Sequence, residues 1–78
     1  MRDKNAEKTV EIVVDLLKKE RQLQGISYRK LGEITGLHRT TISLIERRRQ
    51  TPTLLVCKKI CNAMNISLAT IIKKAERQ

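Results

Sequence analysis

"LGEITGLHRTTISLIE", residues 31–46, decides how this chain is read. It has the form of two short helical halves on either side of Gly36. Leu31 is followed by the small Gly32, which lets two helices approach closely. Gly36 permits a tight bend, because glycine adopts positive φ without a steric penalty. Leu37, Ile42 and Ile45 recur at helical spacing and can pin the second half against the body of a domain. The outer face of that second half is then left uncommitted, with the dimensions of a helix that enters a major groove.

Outward from this stretch, apolar spacing and punctuation predict further helices. Residues 6–23 carry Val10, Val13, Val14 and Leu17 at i, i+3, i+4 and i+7. Acids crowd the beginning of this segment and bases its end, which complements the helix dipole, and Gly25 can close it in a left-handed conformation. Ser27 caps a helix over 28–35, with Leu31 and Ile34 inward. The next helix covers 38–47, followed by a basic loop, 48–52, closed by Pro52. Thr53 caps a helix over 53–64 whose Leu54, Leu55, Val56, Cys57, Ile60 and Cys61 leave little polar surface. It is expected to form the buried centre. Asn65 suits a left-handed cap, and Ser67 starts a helix over 68–75.

The expected fold class is therefore all-α: a compact five-helix bundle forming one domain over 1–78, with the helix-turn-helix motif at 28–47. Four helices can largely cover one core. The stripe of Leu68, Ile71 and Ile72 is thus a candidate dimer interface, although each residue is equally suited to capping the core.

Composition narrows the function. There is no Phe or Trp, and Tyr28 is the only aromatic, so the core is aliphatic. The formal charge is +9 and unevenly placed. Residues 1–20 balance five bases against five acids, residues 21–49 carry seven against two, and residues 50–78 carry five against one. A neutral beginning and a basic remainder point to a polyanionic partner. Cys57 and Cys61 lie four apart, which suits neither a disulfide nor a zinc site. They are read as buried small hydrophobes, and reduced thiols fit a cytoplasmic setting. No apolar run reaches membrane-spanning length and no signal peptide is visible, so no membrane partner is expected. Paired carboxylates, a metal cluster, an activated nucleophile and a phosphate-cradling glycine loop are all missing from the sequence. No enzyme activity, metal or cofactor is expected.

The chain resembles the Cro/repressor-type (XRE) helix-turn-helix family of bacterial and phage regulators. The carrying residues are R-x-x-x-G-I-S at Arg21 to Ser27, the quoted stretch from Leu31 to Glu46, "PTL" from Pro52, and "ICNAMNIS" from Ile60 to Ser67. Together they span about residues 10–72. Size, the "LHRT" opening and K-I-C-x-A-x-x-I are similar to the small controller proteins of restriction–modification systems.

The resemblance implies a repressor-like DNA-binding domain whose partner is double-stranded DNA. It implies base reading by Arg39, Thr40, Ser43 and Leu44. Arg39 is the foremost of these, since its planar fork suits guanine O6 and N7. Arg39 as a phosphate contact and Thr40 as a local hydrogen-bonding group remain alternatives. It implies DNA-backbone contacts from Tyr28, Arg29, His38, Arg47, Arg48 and Arg49, with His38 alternatively a helix cap. It also implies a structural ion pair between Arg21 and Glu46. A homodimer on a pseudo-palindromic operator, autoregulation, and a bacterial or phage-type, nucleoid-associated location follow from the family. No small-molecule effector is expected, because no ligand-binding domain is visible. An antitoxin-type module with a protein partner and secondary DNA binding is the alternative. Three positions depart from the family pattern: Arg48 where glycine is usual, Glu20 where an apolar residue is usual, and Tyr28 where glutamine is usual.

Overall fold

The computed structural model describes residues 2–78, which contain five helices: α1 Lys4–Gln24, α2 Tyr28–Thr35, α3 Arg39–Glu46, α4 Leu54–Ala63 and α5 Leu68–Glu76. Each begins with a side chain that accepts a backbone N–H of its first turn, satisfying a donor the helix cannot. Asp3 accepts from Ala6, Ser27 from Lys30, Thr53 from Val56 and Ser67 from Thr70. His38 does the same for α3, its Nδ1 accepting from the Thr40 N–H at 3.0 Å. Capping is one of the two roles expected of His38, and only the expected helix bound at residue 38 differs. With the ring as cap, α3 starts at Arg39.

Three helix ends share one geometry. After α1, α3 and α4 the chain turns left-handed at Gly25 (φ 68°), Arg48 (φ 60°) and Asn65 (φ 57°). In each case the next N–H reaches five residues back: Ile26 to the Arg21 carbonyl, Arg49 to Leu44, Ile66 to Cys61. This is the Schellman closure, which normally favours glycine at the left-handed position. Arg48 occupies it with a full side chain.

α1 packs along α5 and also meets α3, while α2 packs on α3 and α4, and α4 meets α5. Between them Val13, Leu17, Leu31, Ile42, Cys57, Ile60, Cys61, Met64, Ile71 and Ala75 form an aliphatic core. Leu31, Ile42, Cys61 and Met64 are the largest side chains fully enclosed in it. Burial removes each thiol of Cys57 and Cys61 from water, which disfavours thiolate and raises both above the usual range.

Several inward assignments need correction. Val10 and Ile34 lie at 39% and 50% exposure, and Leu54 and Leu55 at 70% and 65%, so α4 is buried along one face only. Helical spacing groups residues by face, but α4's first turn extends beyond the helices that cover its later turns. Ile71 of the expected dimer stripe turns into the protomer's own core at 7% exposure. Leu68 is half-buried against that core, and Ile72 is half-buried.

Candidate nucleic-acid interface

Gly32 and Gly36 set the angle between α2 and α3. Gly36 sits at φ 79° and its N–H closes α2 on the Gly32 carbonyl at 2.8 Å. Thr35 steadies the bend: its hydroxyl donates to the Leu31 carbonyl at 2.7 Å and accepts from the Leu37 N–H at 3.2 Å. A side chain at residue 32 would lie 2.6 Å from the Leu37 carbonyl oxygen. α2 therefore meets the backbone of the turn leading into α3 there.

From that bend α3 turns Ile42, Ile45 and Glu46 inward. Its opposite side carries Arg39 and Thr40, both exposed, and Ser43 and Leu44, both half-buried. Arg39 and Ser43, like Thr40 and Leu44, are one helical turn apart, so the four share one strip. Arg47 continues that strip, its Nε approaching the Ser43 carbonyl at 3.4 Å. Because His38 Nδ1 accepts a backbone hydrogen bond, the neutral ring carries its proton on Nε2, leaving that N–H as a donor. Arg29, exposed on α2, lies 3.4 Å from Glu33. Arg29, Glu33, His38 and Arg39 line one shallow depression with Gly32 and Leu37.

Glu33 was not singled out from sequence. Its signal was its place on α2 just before the turn, four residues after Arg29. It puts a carboxylate beside Arg39 at the exposed start of α3, and a carboxylate can accept from a cytosine amino group.

The inner end of α3 is fixed by a part-buried ion pair. The Arg21 guanidinium donates from Nε to Glu46 Oε2 at 2.7 Å, from Nη2 to Oε1 at 3.0 Å, and from Nη1 to the Ile26 carbonyl at 2.7 Å. Both side chains are largely enclosed. The hydrogen bond to Glu46 raises the affinity of Arg21 for its proton against the opposing effect of burial. Arg21 also lies 4.4 Å over the Tyr28 ring, within cation–π range. Tyr28 thereby belongs to this anchor, and only its hydroxyl is a candidate for DNA.

The three arginines after Glu46 have different surroundings. All three are exposed. Arg48 folds back on α1, Nη2 donating to Asp15 at 2.5 Å and Nη1 to Glu11 at 3.4 Å.

This geometry is that of a DNA-binding helix-turn-helix, and the chain belongs to that family in its Cro/repressor (XRE) form: the Helix-turn-helix family profile matches residues 17–71. It is a DNA-binding transcriptional regulator and not an enzyme. Control protein C.SmaI of Serratia marcescens is 31% identical over 64 residues, spanning 82% of this chain and 76% of that protein. The uncharacterized HTH-type transcriptional regulator YgzD of Bacillus subtilis is 38% identical over 47 residues, 60% of this chain and 71% of the relative. The HTH-type transcriptional regulator SutR of Escherichia coli is 36% identical over 56 residues, 72% of this chain but 32% of its own length. Among the described residues no helix is long and apolar enough to cross a membrane and no His, Cys, Asp or Glu cluster could hold a metal ion.

Proposed function

We propose that the chain acts as a homodimer on a pseudo-palindromic operator and controls its own promoter. The strip of Arg39, Thr40, Ser43 and Leu44 carries this reading: polar and donor groups stand outward on a short helix whose other side is locked into the core. In it, these four read base edges, while Arg29, Arg47, Arg49 and His38 Nε2 hold phosphates. Likeness to a control protein supports self-regulation, set by protein concentration without a small-molecule effector. DNase footprinting on the region upstream of the gene tests this. The expected result is a symmetric protected segment with half-sites about one helical turn, ~34 Å, apart. Lack of protection there would overturn self-regulation.

Arg39→Ala is expected to erase preference at one base position per half-site, worth ~1–3 kcal/mol of discrimination. Selection of bound duplexes from a random pool reads this directly. If the variant loses affinity evenly for every base at every position, Arg39 does not read sequence.

Pairing is best supported by an apolar surface that keeps Leu68 and Ile72 of the expected stripe and loses the buried Ile71. Val10, Pro52, Leu54, Leu68 and Ile72 line one depression between α1, α4 and α5, and a two-fold axis there would bury the exposed Leu54. Leu54 is the first residue of α4, where an acidic side chain favours the helix. Leu54→Glu should therefore keep the fold and give a monomer in sedimentation equilibrium. A variant that dimerises as tightly as the parent would place the interface elsewhere.

A further inference from the structure

The carboxylates of α1 are arranged in a way that DNA binding by itself does not require. Glu7 pairs with Arg2. Glu11 and Asp15, one turn further along, together hold the Arg48 guanidinium. Arg48 stands between two exposed arginines, at the left-handed closure of the reading helix where its side chain is unfavourable. Of the three arginines, the one with the strained backbone is the one carrying counter-charges from the protein itself.

We propose that Glu11 and Asp15 are specificity determinants: they occupy Arg48 and so hold down sequence-independent binding. This rests on the reading that the residues after α3 face the DNA backbone. Non-specific binding arises almost entirely from phosphate neutralisation, whereas specific binding adds base contacts. A cation withheld from phosphate thus lowers non-specific affinity by a larger share and widens the ratio between the two. The clasp suits this role because it is exchangeable. The Arg48 side chain is 45% exposed, and those of Glu11 and Asp15 are 43% and 51% exposed. Pairs so exposed are weak and screened by salt. The part-buried Arg21–Glu46 pair already ties α1 to the end of α3, so the clasp, made from the turn after α3, is not needed to hold α3 in place.

The test is a cycle of four proteins: the parent, Glu11→Gln/Asp15→Asn, Arg48→Asn, and the triple variant. Asparagine tolerates the left-handed backbone, as Asn65 does. Affinity for a random-sequence duplex is measured over a salt series. Glu11→Gln/Asp15→Asn should tighten binding about two- to fivefold, the range that exposed ion pairs carry. Its log K against log salt should steepen by ~0.9, one further phosphate neutralised. In the Arg48→Asn background the same pair of changes should leave the slope unaltered and give a clearly smaller gain. An equal gain in both backgrounds would mean general charge repulsion and would overturn the proposal, as would no gain in either. The underlying reading fails separately, if Arg47→Gln/Arg49→Gln leaves the slope of the parent unchanged.

Discussion

Glu46→Ala is expected to cost about 3–5 kcal/mol, the usual consequence of removing one partner from an enclosed ion pair. Two of the Arg21 donor groups lose their acceptor, at 2.7 and 3.0 Å in the parent, and only the Ile26 carbonyl and the Tyr28 face remain. The guanidinium cannot escape by losing its proton. Small domains have about 5–15 kcal/mol of stability in all, so the variant should be partly unfolded at modest urea concentrations. Arg21→Met/Glu46→Leu should recover most of the loss, because an apolar pair of similar volume leaves no stranded charge. Urea denaturation followed by circular dichroism measures both. A Glu46→Ala midpoint within about 1 kcal/mol of the parent, the range of an exposed pair, would mean that water reaches Arg21 freely.

The second large effect is on binding. Gly32→Ala sets a methyl group 2.6 Å from the Leu37 carbonyl oxygen and 3.5 Å from the Arg39 nitrogen. Neither is a side chain that can rotate aside, so the α2–α3 bend must open. Alanine contributes up to about 1 kcal/mol to the helix, against about 1–3 kcal/mol of overpacking. The stability change is therefore moderate. The geometric change falls on the first turn of α3, next to Arg39 and Thr40. We expect helix content to persist while affinity for the selected operator drops at least tenfold, about 1.4 kcal/mol. Undiminished operator affinity would show that the bend tolerates adjustment.

The two glycines, the inward Leu31, Ile42 and Ile45, and the Arg21–Glu46 pairing could be anticipated from spacing and family resemblance because each answers to a local or recurrent constraint. Helix limits agreed within two residues for the same reason: Ser27, Thr53 and Ser67 are side chains that cap, whereas α1, whose cap Asp3 was not anticipated, starts two residues before the expected residue 6. What periodicity did not convey was coverage. Leu54, Leu55 and Ile34 share the spacing of core residues, yet a chain of 78 residues has too little structure to cover every apolar face. Ile71 went the other way, because α1 lies along α5 and encloses it. The Arg48 clasp joins residues 33 and 37 positions apart. Its trace in sequence was slight: two acids a turn apart on α1, and an arginine where the family usually has glycine.

Tyr28 gives the protein an optical property. With no Phe or Trp, all of its aromatic ultraviolet signal comes from one ring. That ring sits at the start of α2, beneath the guanidinium that ties α1 to α3. Its near-ultraviolet dichroism and emission should thus follow a single junction, the docking of α1 on the helix-turn-helix. Separation at this junction would be visible in the unlabelled protein before the helices themselves are lost.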